Sequence, residues 1–465
     1  MFWNKLCLNP HSEIINPQLN NMKYHLVILG CQMNYSDAER IRTVLEKMGF
    51  QSTDDEQEAN LIGIVACSVR QKAIDKVYTR IYKWNKMKAK RQLVTFVSGC
   101  ILDADETKFA KLFDLLFRME QLPQLPDLLR QSGVPTSVSA PILTDDELEN
   151  ERTDFWHVEP TYSSQIEAFI PIQNGCNKFC TYCAVPYTRG REVSRPSGEI
   201  IDELKALVER GNKVITLLGQ NVNSYGLDKK GEEISFAQLL EQIGEYGNTS
   251  GKEFWVYFTS PHPHDMTDDV IEMVAKYPVL GKQIHLPLQS GDDEVLKKMN
   301  RRYTVDDYMK IVKIIREKLP TATLFTDIIV GFNGETEEQF QNTVQAVKDA
   351  RYNMIFAAMY SPRPGAKSAT WEDDVPHKEK SRRHQELNKA LTAISLEENE
   401  KMVGKTIRVI VESEDSRMDG ALRGKSEGRL IVRILNAPEA LIGEFVNVTI
   451  TEAAQMSMTG VLANG

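Results

Sequence analysis

The chain has 465 residues, 26% of them charged and 42% hydrophobic, which at roughly 150 residues per domain anticipates about three domains and excludes a single small module. No stretch approaches the roughly 18 uninterrupted apolar residues that a membrane-spanning helix requires, so no membrane partner is expected. With 56 Lys and Arg against 65 Asp and Glu, a net charge of -9, the chain is no basic nucleic-acid coat, and any RNA site has to be a local patch.

The first twenty residues mix polar side chains with two prolines and contain no apolar core of a secretory signal, which makes a cytoplasmic location the expectation. Seven cysteines is an odd number, and their grouping speaks for metal or redox chemistry rather than a disulfide framework. Cys7 stands apart in the polar tail and reads as incidental.

Three alternating strand and helix units follow, with apolar runs at 25–30, 60–66 and 92–99, each leading directly into a cysteine: Cys31, Cys67 and Cys100. After the first run, Ser36 and Glu39 read as a capping box, Ile41, Leu45 and Met48 as an apolar stripe, and Gly49 as a stop. In an open parallel sheet the carboxyl ends of the strands share one edge, where ligands bind. Thiols separated by 36 and 33 residues are therefore expected to converge.

Residues 70–91, from Arg70 to Arg91, hold nine Lys and Arg, one acidic residue, and Tyr78, Tyr82 and Trp84. Such a helix either meets phosphates and an unstacked base or is a solvated face with buried aromatics. Between about Leu122 and Thr161 the periodicity fails at Pro123, Pro126, Pro135, Pro141 and the acidic run Asp145 to Glu151. An N-terminal domain over 22–135 and a linker over 136–161 are expected.

A second series has strand-like runs at 168–173, 214–221, 254–260, 283–289, 324–332 and 354–361, with helical patterns at 197–210, 306–318 and 335–350. Six such units predict a partial (β/α)6 barrel over 162–398, with its chemistry at the carboxyl ends of the strands. A polar helix over about 377–401 leads to a tail, 402–465, in which 405–412, 429–435 and 445–451 are rich in Ile, Val and Thr and read as a small all-β barrel. That tail has seven Lys and Arg against eight acidic residues, a faint RNA footprint, although Arg417, Arg423, Lys425 and Arg429 can share a face. The fold class is thus α/β: an N-terminal open parallel domain, a central partial barrel and a small C-terminal β-barrel.

The sharpest chemical signal is Cys176-Asn-Lys-Phe-Cys180-Thr-Tyr-Cys183, directly after the first barrel strand. Three thiolates hold three irons of a [4Fe-4S] cluster and leave the fourth open to a small ligand, whereas a closed structural zinc site needs a fourth protein ligand from elsewhere. Further along, Asp327 to Gly334 is an apolar strand running into a glycine-rich turn. Gly331 and Gly334 allow a ligand close to the backbone there, or simply make a tight connection. Gln220, Asn221 and Asn223 follow another strand, as nucleoside-binding amides or as loop caps. His285 and Gln289 lie near a further strand end, with the same two readings. Arg189, Arg191 and Arg195, just beyond the cysteines, are candidates for RNA contact.

The cysteine spacing on a six-unit βα series resembles the radical S-adenosylmethionine superfamily. Together with the three-cysteine N-terminal domain and a TRAM-like C-terminal barrel, it resembles the methylthiotransferases over nearly the whole chain from about Met22. The motifs Gly30-Cys31-Gln-Met-Asn34, Val185 to Pro196, Leu218 to Gly226, His285 to Gly291 and Tyr360 to Gly365 narrow it to members acting on isopentenylated adenosine in tRNA. This resemblance implies S-adenosyl-L-methionine and two [4Fe-4S] clusters as cofactors. Cys176, Cys180 and Cys183 are the implied ligands of the radical-generating cluster, and Cys31, Cys67 and Cys100 those of an auxiliary cluster in sulfur delivery. Gln220, Asn223, Gly331 and Gly334 are the expected cofactor contacts. The implied reaction places a methylthio group at C2 of the adenosine beside the anticodon. The implied partners are the tRNA anticodon stem-loop, an external electron donor and a sulfur donor, and the chain is expected to be a monomer.

Other substrates of this chemistry are threonylcarbamoyladenosine in tRNA and an aspartate of a ribosomal protein. A different class altogether is a non-catalytic RNA-binding protein with structural metal sites. The chain departs from the family pattern at Val65-Ala66-Cys67-Ser-Val-Arg70, at Ser98-Gly-Cys100-Ile-Leu-Asp103 and at Asn333, where proline is common. The first two change the surroundings of the auxiliary cysteines and leave the thiols themselves in place.

Overall fold

The computed structural model describes residues 22–67, 71–134, 142–144, 148 and 152–463. Cys7, Arg70, Pro135, Pro141 and the acidic run 145–151 apart from Leu148 lie outside the described residues. The chain divides into two compact units. The first is Met1–Ser163 with the short segments Cys183–Val193 and Arg363–Ala366, and the second is Ser164–Tyr182, Ser194–Pro362 and Lys367–Gly465.

In the first unit a parallel sheet runs in the order Gln51–Ser52, Lys23–Leu29, Leu61–Cys67, Val94–Cys100, Leu115–Leu116. The strand Leu61–Cys67 is buried at every residue, as a central parallel strand covered on both faces must be. One face packs Ile41, Val44, Leu45, Leu61, Val65, Phe96 and Phe117, and the other packs Ile62, Ile64, Ile74, Val77, Ile81, Trp84 and Phe109. The expected linker is more than a connector where it is described. Ile142, Leu143, Phe155, Trp156 and Val158 join the first of these cores, and Thr161 donates its amide to Thr43 Oγ1 at 2.7 Å.

The first helix, Gln32–Lys47, begins four residues before the expected capping box. Cys31 is its N-cap, and Asn34 accepts from the Cys31 amide. Ser36 and Glu39 lie inside the helix and turn inward. Ser36 Oγ accepts from Arg40 Nη1 at 2.8 Å, and Glu39 Oε1 accepts from Ser163 at 2.9 and 2.7 Å. Tertiary partners outcompeted a locally plausible cap.

In the second unit six parallel strands form two three-stranded sheets. One runs Trp255–Phe258, Val214–Leu218, Glu167–Pro171, and the other Gln283–His285, Thr323–Val330, Met354–Met359. The helices Ser197–Arg210, Val305–Lys318, Glu337–Ala350 and His377–Glu400 match the expected spans within two residues. The C-terminal segment closes into a five-stranded barrel, Thr406–Glu414, Ala421–Ser426, Ile431–Leu435, Ser457–Leu462 and Phe445–Ala453 in spatial order. Two of these strands escape the apolar pattern because each contains a glycine, Gly424 and Gly460. A side chain at either would strike a neighbouring strand's carbonyl, so close approach was selected over β propensity.

This small barrel packs within the second unit onto the amino-terminal parts of four of the six strands. Ile410 and Phe445 bury against Val214, Trp255 and Tyr257. Tyr257 donates to Glu427 O at 2.8 Å, Thr323 to Gly428 O at 2.6 Å, and Arg429 pairs with Glu167 at 2.8 Å. Val214, Trp255, Thr323 and Glu167 each open their strands, so the carboxyl ends stay clear of the barrel.

Trp84 is wholly buried, with Nε1 donating to Glu56 at 3.2 Å. Trp84→Ala is expected to cost the first unit about 3 to 5 kcal/mol, read as a lowered urea midpoint in a domain-resolved probe such as hydrogen exchange.

Candidate functional site

In the first unit the sheet delivers its three cysteines as its topology requires. Cys67 and Cys100 are the last residues of adjacent strands and are register partners, and Cys31 follows the neighbouring strand and caps the next helix. Asn34, wholly buried, organises this edge. It accepts from Cys31 N at 3.1 Å, donates to Ala66 O at 3.2 Å, and lies 3.6 Å from Cys31 Sγ and 3.9 Å from Cys100 Sγ. Gly30 is required because a Cβ there would collide with the Asn34 carboxamide, and Gly99 because its φ is +102° with Ala66 O 2.5 Å from a Cβ position.

A buried cation completes the group. Arg189 donates from Nε to Cys100 Sγ at 3.0 Å, and its guanidinium pairs with Asp37. Arg189 and Asp37 are 4% and 2% exposed, so this is a charge pair enclosed in the first unit. A hydrogen bond with Cys67, together with burial, pushes the Cys100 thiol well up, while Arg189 opposes the rise. Cys31 is exposed as a residue, and desolvation at its sulfur together with the neighbouring Cys100 pushes its thiol up. Among the described residues no three His, Cys, Asp or Glu side chains are grouped as a single-ion site. The donor set nonetheless fits an iron–sulfur cluster, whose positive irons would hold these closely spaced sulfurs as thiolates.

The expected role of Arg189 and Arg195 in RNA contact is corrected by these positions. Arg189 is consumed by Asp37 and Cys100, and Arg195, 6% exposed, by Glu199 and Glu203. Charge runs next to a motif supply buried ion pairs as readily as phosphate contacts, and only burial tells them apart. Arg191 is exposed. On the basic helix Gln71–Lys88, Trp84 is core, Arg80 and Lys83 pair with Glu56, Lys88 pairs with Asp114, and Tyr82 is exposed.

The loop of Cys176, Cys180 and Cys183 spans eight residues. Cys176 is buried, and Cys180 and Cys183 are partly covered. In the second unit the loop is pinned by residues 298–301, which the sequence reading missed. Asn300 Nδ2 donates to Lys178 O and Phe179 O at 3.1 Å, Thr181 Oγ1 donates to Lys298 O at 2.9 Å, and Arg301 Nη1 donates to Cys180 Sγ at 3.3 Å. Phe179 adopts a left-handed φ of 50°, a conformation that needs such anchoring. Their close spacing flags the thiols, whereas Asn300 and Arg301 follow an unremarkable helix and carry no local signal.

Polar side chains with unused hydrogen-bonding atoms gather on the loops after the first barrel strands. Gln173 Oε1, Gln220 Oε1, Asn221 Oδ1 and His262 Nε2 are buried without a partner. Gln173 Nε2 donates to Ser224, and Asn221 Nδ2 donates to Asp265, itself paired with Lys178 at 2.5 Å. Asn223 is a loop cap, exchanging hydrogen bonds of 2.7 and 3.0 Å with the His262 backbone. Burial, with Arg301 and Lys178 nearby, drives the His262 pKa far below its ordinary value, so its ring is neutral. Nδ1 of His262 accepts from the His264 amide, so its Nε2–H is an orphaned donor beside three orphaned amide oxygens. Such atoms are costly unless a ligand meets them, and a polar cofactor fits them.

At the end of the strand Thr323–Val330, Gly331 and Gly334 adopt φ of +69° and +72°. The Gly331 amide donates to Glu335 Oε2 and the Gly334 amide to Asp374 Oδ1, both at 2.6 Å, and the Lys380 side chain occupies the space a Gly331 side chain would need. Both glycines therefore serve the turn itself. Gln289, at φ +74°, donates its amide to Asp327 O at 2.8 Å, and His285 Nε2 bonds Asp327 Oδ2 at 2.8 Å.

Three family descriptions match successive parts of the chain: the radical SAM superfamily over residues 170–347, the uncharacterized protein family UPF0004 over 23–117, and the TRAM domain over 400–463. The chain is 40% identical over 455 residues to a tRNA-2-methylthio-N(6)-dimethylallyladenosine synthase of Carboxydothermus hydrogenoformans, covering 94% of this chain and 99% of that protein. It belongs to that synthase family. A synthase of Clostridium botulinum is 39% identical, with 97% and 99% covered. Among solved structures, the radical S-adenosylmethionine methyltransferase TsrM of Kitasatospora setae aligns with a TM-score of 0.54 at 14% identity, over 87% of this chain and 80% of that one, a likeness of fold. The UPF0004 match spans Cys31, Cys67 and Cys100, the radical SAM match spans Cys176, Cys180 and Cys183, and the TRAM match spans the closed barrel of this synthase-family chain.

Two expectations follow. Arg189→Ala leaves the Asp37 carboxylate buried without its guanidinium and should destabilise the first unit by about 3 to 5 kcal/mol, seen as a lowered unfolding midpoint that Arg189→Lys partly restores. His262 is neutral when folded and titrates at its ordinary 6.5 when unfolded, so its contribution to stability is full above that pH and lost as pH falls below it. Wild type should lose about 1.4 kcal/mol per pH unit more than His262→Gln below roughly pH 6.5, measured by denaturant titration at several pH values.

Proposed function

We propose that this protein installs a methylthio group at C2 of N6-dimethylallyladenosine beside the anticodon of tRNA. The observation that carries this reading is the pair of cysteine triads, one at adjacent strand ends and one in the loop 176–183, in a chain that matches its synthase relatives nearly end to end. When bound, two [4Fe-4S] clusters supply reductive cleavage of S-adenosyl-L-methionine at one triad and sulfur delivery at the other.

The protein's own residues bind, orient and shield. Cys176, Cys180 and Cys183 would ligate the radical-generating cluster and leave one iron for the methionine end of the cofactor, and Arg301 at Cys180 adds a fixed positive charge beside that sulfur. Gln220 and Gln173 offer buried amide oxygens to the cofactor's amino or ribose groups. Asn223, Gly331 and Gly334 act by holding the loops in shape. Cys31, Cys67 and Cys100 would ligate the auxiliary cluster, with Arg189 compensating thiolate charge. The TRAM-like barrel and Arg191 are the proposed tRNA contacts. An external electron donor and a sulfur donor complete the reaction, with the chain acting as a cytoplasmic monomer.

The test is mass spectrometry of nucleosides from dimethylallylated tRNA incubated anaerobically with reconstituted protein, S-adenosylmethionine, sulfide and a reductant. A new 2-methylthio derivative is expected. Accumulation of 5′-deoxyadenosine without it, or a product on threonylcarbamoyladenosine instead, would replace the substrate assignment. Cys180→Ala should abolish both 5′-deoxyadenosine and product, whereas Cys67→Ala should keep measurable cofactor cleavage and lose methylthiolation.

A further inference from the structure

Alternation along the second sheet of the barrel sorts its side chains between two faces. On Thr323–Val330, Leu324, Thr326, Ile328 and Val330 are fully buried on one face, while Asp327 and Ile329 on the other are only partly covered. Parallel register places Phe356 beside Asp327 and Ala358 beside Ile329, and both Phe356 and Ala358 are exposed.

Phe356 is 50% exposed in the middle of a parallel strand, a position where an aromatic ring is ordinarily covered. Its neighbours form a small mixed platform. The His285 ring stands edge-on at 5.6 Å and Phe325 at 6.4 Å. His285 Nε2 is bonded to Asp327 Oδ2 at 2.8 Å, and the Asp327 side chain is 36% exposed. Two residues along the same face, about 7 Å, Ile329 packs in the cluster of Tyr182, Phe332 and Tyr360. Tyr182 lies between Cys180 and Cys183. The platform is thus one strand step from a side chain that packs on the same apolar cluster as a residue of the cysteine loop.

Resting on the functional reading above, we propose that Phe356, His285 and Asp327 form the recognition site for the acceptor nucleoside. Phe356 packs on its five-carbon N6 substituent, and the His285–Asp327 pair hydrogen-bonds the purine edge. An adenosine whose C2 is to react has to leave the anticodon stack, and an unstacked base is held by an aromatic face and a few directed polar groups. An exposed phenylalanine flanked by a carboxylate–imidazole pair provides both. Its apolar part discriminates in favour of the alkylated base, because an unmodified amino group would leave the ring in water.

The test measures binding of two anticodon stem-loop RNAs, with and without the N6-dimethylallyl group, to the full-length reconstituted protein. Wild type is expected to prefer the alkylated RNA. Phe356→Ala should lose roughly tenfold of that preference, and Phe356→Leu should keep most of it. Asp327→Asn should weaken both RNAs alike. A half-exposed ring is tolerant of substitution, and the leucine variant controls for folding. Retention of the wild-type preference by Phe356→Ala, in protein that makes the 2-methylthio product, overturns this site alone. Wild-type protein that neither makes the product nor prefers the alkylated RNA overturns the functional reading, and this site with it.

Discussion

A parallel strand ends where its neighbours end, and that constraint organises both units of this protein. In the first unit it sets Cys31, Cys67 and Cys100 on one edge although they are far apart in sequence. In the second it collects the cysteine loop, the orphaned amides of Gln173 and Gln220, and His262 on the loops that leave the strands. Chemistry gathers there because helix amino ends and loop backbones converge and no sheet pairing competes for their polar groups. Toward the opposite ends of these strands the small barrel packs, through Tyr257, Thr323 and Arg429.

Buried charge is the second theme. Arg189 with Asp37, Arg195 with Glu203, and Arg383 with Glu335 are nearly solvent-free pairs. Such pairs add little net stability over well-packed apolar residues, but they are costly to break and enforce one arrangement. Arg189 is informative because its third contact is a cysteine sulfur. A fixed guanidinium beside that sulfur favours its thiolate, the form in which it would serve as an iron ligand. The altered residues around Cys67 and Cys100 leave this contact intact.

Much of this architecture was legible in the sequence, and the failures have physical reasons. Strand runs ending in cysteine, the loop from Cys176 to Cys183 and the helices 197–210 and 305–318 stand out because periodicity and spacing are local properties. The capping box at Ser36 misled because the helix starts a turn earlier, with Cys31 as its cap, so that Ser36 meets Arg40 one turn on and Glu39 meets Ser163 far along the chain. Strands 421–426 and 457–462 were silent because glycines chosen for close packing dilute the apolar alternation. Arginines near the cysteines looked like phosphate contacts until burial distinguished Arg189 and Arg195 from Arg191. Asn34, Asn300 and Arg301 could not be singled out, since their roles arise from what the fold brings beside them. Of the two polar side chains expected at the cofactor, Gln220 offers an unsatisfied buried atom, whereas Asn223 is tied to the His262 backbone.

The central claim is that two separate cysteine triads each hold a four-iron cluster. The most direct measurement is iron and acid-labile sulfide content with Mössbauer spectroscopy on anaerobically reconstituted protein, beside a variant with Cys31, Cys67 and Cys100 replaced by alanine. The account predicts about eight irons per chain for wild type and about four for the variant, all in cubane-type signals. Colourless zinc-loaded protein, or a wild type that holds only about four irons, would contradict it.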